Sequence, residues 1–72
     1  MESKLSIRRR IKRIESYMLG VGYTPYRIEY DIVRQVIKVW EDEHHYLEFD
    51  PSQHGDYDIA MFAVWSFTGK GC

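Results

Sequence analysis

The sequence contains one cysteine, no asparagine and two prolines, and these scarcities exclude several kinds of protein. Because Cys72 is alone, no disulfide can form within the chain and no cysteine cluster can hold zinc. Without asparagine, the chain has no acceptor for N-glycosylation. The longest apolar run, residues 59–65, is far shorter than the roughly 20 residues that span a bilayer. We therefore expect a soluble, cytoplasmic protein that does not enter a membrane.

The composition predicts a folded chain with a thin core. Hydrophobic residues make up 44% of the sequence and aromatic residues 15%, which is too apolar for intrinsic disorder. Seventy-two residues allow one small domain, residues 1–72. A chain this short buries only about 60–65% of the surface that its unfolded form exposes. We expect a second copy or a partner to complete such a core.

Charge is distributed unevenly along the chain, although the formal total is only −1. Residues 1–40 contain nine Lys or Arg and four Asp or Glu, a net charge of +5, whereas residues 41–72 contain one Lys and seven acids, a net charge of −6. Two interpretations follow. The halves neutralise each other on folding, or one charged face recognises a partner.

The first third of the chain predicts a helix over about residues 4–19. Ile7, Ile11, Ile14 and Met18 recur at helical spacing and form one narrow apolar stripe. Gly20 suits the position just after a helix C-terminus.

Residues 25–42 predict a second helix. Thr24 and Pro25 are typical of a helix start, and stepping 100° per residue separates apolar from polar side chains except at Glu29. This helix would turn Ile32, Val36 and Trp40 towards the core. A hairpin competes with it, because β-branched residues are dense here. That hairpin would turn at residues 34–35 and pair Ile32 with Ile37 and Asp31 with Lys38, but Arg-Gln lacks the residues that tight turns prefer.

The last third predicts a β-hairpin, with strands at about residues 45–50 and 57–66 around a turn-rich loop. A third helix, capped by Asp56 or Asp58 and ending at Gly69, is the competing interpretation. The predicted fold class is therefore α+β: a helical pair with a C-terminal β-hairpin. The alternatives are one helix on a four-stranded antiparallel sheet and an all-α arrangement of three helices.

The acidic segment 41–58 is the main candidate for a functional surface. It contains every acid of the second half and no Lys or Arg, so it can dock on a basic protein surface while aromatic residues add contact area. The sequence thus predicts a non-enzymatic protein-binding module, an inhibitor or accessory regulator. The candidate partner-binding residues are Glu41, Asp42, Glu43, Tyr46, Glu48, Asp50, Asp56, Tyr57 and Asp58.

A small nucleic-acid-binding regulator is the alternative function. The basic part of the first helix, residues 8–13, would contact phosphates through Arg8, Arg9, Arg10, Lys12 and Arg13. Against this, DNA readout normally uses the later helix of a pair, and here the basic helix comes first.

No catalytic, metal or cofactor site is predicted. No nucleophile, base and orienting group stand at a known spacing. His44, His45 and His54 lie among carboxylates, but adjacent histidines on a strand would point to opposite faces. Residues 50–61 resemble a calcium loop in outline, yet Met61 stands where the bidentate Glu belongs. Self-association as a homodimer is expected through residues 59–67, which are apolar on both faces, and Cys72 is not expected to be needed for it.

Overall fold

A computed structural model describes residues 4–69 of the chain, and the side chains of residues 6–69. It shows a helix, three strands and a second helix. These are α1 (Lys4–Gly20), β1 (Arg27–Asp31), β2 (Val36–Trp40), β3 (Tyr46–Phe49) and α2 (Asp56–Thr68). The strands form one antiparallel sheet in the order β1-β2-β3. The fold is α+β, but the predicted helical pair with a C-terminal hairpin is wrong.

Helix α1 begins where the apolar stripe predicts and ends one residue later than expected. Ile7, Ile14 and Met18 are buried along it. The left-handed residue that terminates this helix is Gly22, whereas the sequence suggests Gly20. The amide of Tyr23 donates to Met18 O and that of Gly22 to Leu19 O, and Gly22 has a φ of 86°. This pair of hydrogen bonds closes the last helical turn, and it requires a left-handed residue that glycine adopts without strain.

The predicted helix over residues 25–42 is wrong, because this segment forms β1, a four-residue turn and β2. The Asp31 carboxylate accepts hydrogen bonds from the amides of Val33 and Arg34, and the Gln35 amide donates to Asp31 O at 2.7 Å. Gln35 has a φ of 58°, a conformation that turns normally give to Gly or Asn. The turn is therefore closed by an aspartate side chain instead of a tight-turn dipeptide.

The register differs from that of the competing hairpin as well. Tyr30, not Ile32, pairs with Ile37, and Glu29, not Asp31, pairs with Lys38. The longer turn shifts the pairing by two residues. Ile32 consequently lies in the turn and is exposed, whereas Val36 and Trp40 lie on the sheet face opposite the core. None of the three residues expected to face the core therefore does so.

The C-terminal hairpin is also wrong, since only its first half is a strand. β3 pairs with β2, and residues 57–66 belong to helix α2. Gly55 precedes this helix in an extended conformation, and Gly69 ends it with a φ of 71° and an amide that donates to Trp65 O. The two glycines thus delimit α2. The four-stranded sheet and the all-α arrangement are likewise excluded by two helices and three strands.

The core lies on one face of the sheet. Ile37 and Val39 from β2 and Phe49 from β3 meet both helices there. α2 approaches through Ala60 and Ala63, which are fully buried. Because both described helices lie on this face, the other face of the sheet has no helix against it among residues 4–69. Adjacent strand residues alternate between the two faces. That open face carries Arg27, Glu29, Asp31, Val36, Lys38, Trp40, Tyr46 and Glu48.

Neither described helix is long and apolar enough to cross a membrane. Cys72, which we did not expect to be needed for association, lies outside the described residues.

Two isoleucines distinguish this fold from a helix over residues 25–42. Ile37 is 0% exposed and Ile32 is 64% exposed. Ile37→Ala should lower the free energy of unfolding by about 2–5 kcal/mol, since it removes buried methyl groups and leaves a cavity. Ile32→Ala should change it by less than about 0.5 kcal/mol. Urea unfolding followed by tryptophan fluorescence measures both. Equal losses would contradict the observed hairpin register.

Candidate functional site

The structure divides the predicted acidic surface into three groups. Residues 41–43 lie in the turn between β2 and β3, at one end of the sheet. Tyr46 and Glu48 lie on β3, on the open face. Asp50, Asp56, Tyr57 and Asp58 follow in the loop at the opposite end of the sheet and in the first turn of α2. The segment 41–58 is therefore not one continuous face.

The turn before β3, which we call the acidic turn (residues 41–45), is shaped by Asp42. Its Oδ1 accepts hydrogen bonds from the amides of His44 and His45 at 2.8 and 2.9 Å, and Oδ1 lies 3.0 Å from His45 Nδ1. The hydrogen bond from the His44 amide, followed by those from His45, lowers the pKa of the Asp42 carboxyl below its ordinary value. Asp42 is thus a turn-forming residue, whereas Glu41 and Glu43 are exposed.

An aromatic pair lies beside the acidic turn on the open face. The Trp40 and Tyr46 rings are 4.5 Å apart between centroids. Arg27 lies 4.7 Å from the Trp40 ring centroid, Lys38 Nζ lies 5.0 Å from that of Tyr46, and Trp40 Nε1 donates to Glu29 Oε1 at 2.9 Å. These contacts hold both rings in place. The pair therefore has a fixed arrangement on the open face, where no described helix covers it.

Strand β3 borders a groove on its helix side. Glu48, Phe49, His54, Asp58, Ile59 and Phe62 line this space of about 240 Å³. The Phe49 and Phe62 rings meet edge to face at 5.9 Å, and Phe62 is 56% exposed. Glu48 Oε2 lies 2.9 Å from Arg34 Nη1 but has no partner with hydrogen-bond geometry. The contact is therefore an ion pair without hydrogen-bond geometry.

Asp56, in contrast, is withdrawn from the surface. Its side chain is 8% exposed, and its oxygens accept from Arg10 Nε at 2.6 Å and Arg13 Nη1 at 3.2 Å. Arg10 also donates to Pro51 O and His54 O. This arginine therefore joins α1 to the loop before α2 and to the first turn of α2. The neutralising interpretation of the charge layout holds at this contact.

Asp50 and Tyr57 also have local structural contacts. Asp50 Oδ1 accepts from both the hydroxyl and the amide of Ser52, and these hydrogen bonds, led by that of the hydroxyl, lower the pKa of the Asp50 carboxyl. Tyr57 packs edge to face on Tyr17 of α1 at 5.2 Å. Asp58 remains exposed at the groove.

The candidate nucleic-acid surface on α1 is reduced by one residue. Arg10 is committed to the contacts described above and is only 14% exposed. Arg8, Arg9 and Lys12 are exposed, and Arg13 combines an exposed side chain with its contact to Asp56. The cations that can contact phosphates therefore lie on the solvent side of α1. They are Arg8, Arg9, Lys12 and Arg13.

A group of possible metal ligands and a second groove do not point to a particular ligand. Glu41, Asp42 and His45 bring one ligand atom each within 4.8 Å of one another, but all three are exposed and Asp42 is already engaged by the turn. A groove of about 780 Å³ lies between the first half of α1, the β1–β2 turn and the loop after β3. Its floor includes Ile7, Ile11 and Tyr30, and its rim Arg8 and Ser52. Neither the donor set nor the groove selects a particular chemistry.

Sequence reasoning missed Trp40, Phe62 and the groove. Trp40 was assigned to the core because β2 carries apolar residues on both faces, which conceals the period of two. The signal that could have located Trp40 is Glu29, the single exception to the helical pattern, which accepts its indole hydrogen bond.

Comparison with known proteins returns no relative: no family model matches the chain, and neither the curated proteins nor the solved structures include a match.

Arg10 and Arg9 test which cations are structural. Arg10→Ala should destabilise the fold by about 2–3 kcal/mol, because it removes charged hydrogen bonds and leaves the Asp56 carboxylate poorly paired. Arg9→Ala makes the same change on the exposed face and should cost less than about 0.5 kcal/mol. Chemical denaturation of the two variants gives the comparison. If both losses were equally small, Arg10 would be available for recognition after all.

Proposed function

We propose that the protein is a non-enzymatic protein-binding module, an inhibitor or accessory regulator that docks an acidic surface on a basic partner. The docking surface is narrower than residues 41–58 and is centred on the acidic turn and β3. One observation carries the proposal. Glu41 and Glu43 are exposed beside the uncovered Trp40–Tyr46 pair, and the ion pairs of the acidic turn within residues 6–69 involve its own histidines.

The two parts of this surface have different physical roles. Exposed carboxylates without Lys or Arg partners create a negative potential that attracts a basic surface and speeds encounter. An aromatic pair supplies contact area at low entropic cost, because its rings are already held by Arg27, Lys38 and Glu29. The carboxylates that would attract the partner and the aromatic pair that would contact it are thus neighbours.

The acidic turn is tested by neutralising its exposed acids while Asp42 is kept, since Asp42 forms the turn. Glu41→Gln/Glu43→Gln should reduce the association rate with a partner captured from a lysate several-fold, and high salt should remove most of that difference. Surface plasmon resonance at two ionic strengths measures it, and thermal unfolding should show little change.

The matched control is Glu15→Lys, which changes the net charge by the same +2 at an exposed site on α1. This variant should bind the captured partner at close to the wild-type rate. If the control and the double variant changed the association rate equally, the effect would reflect net charge alone and not the acidic turn. No effect of the double variant would refute docking through the acidic turn.

Nucleic-acid binding is kept as a second candidate because Arg8, Arg9, Lys12 and Arg13 share the solvent side of α1. Arg8→Glu/Arg9→Glu/Lys12→Glu, with Arg10 retained, should abolish any shift of a mixed-sequence duplex in a low-salt mobility assay. Glu15→Lys should strengthen it. A salt slope corresponding to about three phosphate contacts would support this function. No shift of the wild-type chain at low salt would eliminate it.

We also infer that two copies associate through α2. Trp65 is 58% exposed on a helix that is apolar on most sides. Sedimentation velocity should show a monomer–dimer equilibrium at high micromolar concentration, and Trp65→Lys should shift it to monomer. Ser66→Lys, at the neighbouring exposed position, is the charge-matched control. A wild-type chain that stays monomeric contradicts the association.

A further inference from the structure

We propose that the basic partner binds as an extended segment that adds a fourth strand to the outer edge of β3. This mode rests on the proposed function and specifies it, because it states which part of the partner docks and how. The segment would carry Lys or Arg at every second position and apolar residues between them. Three observations on β3 carry the proposal: a free main chain, an apolar groove and flanking carboxylates.

The outer edge of β3 has unpaired main-chain groups. β3 is the last strand of the sheet and its only ladder is with β2. Within residues 4–69 no other strand reaches its far side, and the chain continues directly into the loop and α2. An edge strand presents N–H and C=O groups that an extended peptide can pair with, which is the main source of affinity in strand addition.

The helix side of this edge accepts apolar side chains. Leu47 and Phe49 point to that face, and α2 extends the surface with Phe62, whose ring meets Phe49 but is more than half exposed. An added strand would direct every second side chain into the groove of about 240 Å³ between β3 and α2. Burial of Phe62 would then be completed by the partner.

Exposed carboxylates near β3 favour a positively charged segment. Glu48 points to the open face, where Arg34 Nη1 lies 2.9 Å from its Oε2 and Lys38 is its register partner on β2, so its charge is already balanced. Glu43 lies in the turn at one end of β3, Asp58 stands at the rim of the groove on the helix side, and both are exposed. A strand with cations at alternate positions would bring them close to Glu43, while Asp58 adds negative potential from the helix side.

The same charges argue against the other occupants of this edge. A second copy pairing antiparallel along β3 would bring two sets of exposed acids, Glu43 and Asp58, to one interface, and exposed like charges repel. A nucleic acid would place phosphates against the same carboxylates. The edge therefore suits a basic extended segment, whereas self-association uses the side of α2 around Trp65.

The probe is a short synthetic peptide in which lysine alternates with valine, titrated into the ¹⁵N-labelled full chain. The largest amide shifts should fall in residues 46–49 and around Phe62, and amide exchange in β3 should slow at least fivefold. The comparison peptide has the same charge but a proline in place of the central valine. It should bind at least tenfold more weakly, because proline removes a donor and disrupts an added strand.

Variants of the groove complete the experiment. Phe62→Ser and Asp58→Asn should each weaken binding of the alternating peptide several-fold, while Trp65→Ser should leave it within twofold. Equal affinity for the two peptides, shifts centred on Trp40 and Tyr46, or absence of binding at millimolar peptide would each overturn strand addition. A β3-dependent dimer that excludes the peptide would show a second copy to be the occupant and would also overturn it.

Different results would refute the proposed docking function and strand addition to β3. If the captured partner still depends on Glu41 and Glu43 while the alternating peptide does not bind, strand addition is wrong and the docking surface stands. If neutralising Glu41 and Glu43 has no effect on the captured partner, the proposed function fails whatever the peptide does.

Discussion

Both helices of residues 4–69 lie on one face of the sheet, and most other features follow from that arrangement. Both helices pack against the face that contains Ile37 and Val39, where the buried residues form one cluster. The opposite face must tolerate water. It does so by surrounding Trp40 and Tyr46 with Arg27, Lys38 and Glu29, so that the aromatic rings are held without being enclosed. An open sheet face with oriented aromatic rings is therefore a direct result of this one-sided packing.

Charge asymmetry along the chain is resolved in part by Arg10. Its guanidinium reaches Asp56 and two carbonyl oxygens in the loop before α2, so a single side chain from the basic half holds this loop and the first turn of α2 in place. Such an arginine stabilises the fold and is lost to recognition. The charges that remain available are separated in space: cations on the solvent side of α1, and carboxylates around β3.

The sequence predicts the first helix better than the segments that follow it. The stripe containing Ile7 and Ile14 predicts α1 because its only apolar face is the buried one. Residues 25–42 are misleading because β2 has apolar side chains on both faces, and Val36 and Trp40 complete a false helical arc. The turn could not be recognised by composition, since it depends on the Asp31 carboxylate and on Gln35 in a left-handed conformation. These are tertiary and local hydrogen-bond effects that periodicity does not report.

The same distinction applies to the site. Composition identifies segment 41–58 as acidic, but it cannot separate carboxylates that form turns from those that face solvent. Asp42 and Asp50 accept hydrogen bonds from backbone amides, and Asp56 accepts hydrogen bonds from two arginines. Glu41, Glu43 and Asp58 are exposed to solvent. Three of the seven predicted acids are therefore structural, and only their hydrogen-bond partners reveal which three.

The exposure of α2 has a packing cause. The helix meets the core through Ile59, Ala60 and Ala63, and the two alanines let its backbone approach the sheet and α1 closely. On this closely seated helix, Phe62 lies on the flank beside Phe49 and Trp65 lies on the solvent side. Larger residues at positions 60 and 63 would lift the helix and widen the groove at β3. The small residues thus set both the depth of the core and the shape of the surface beside the free strand edge.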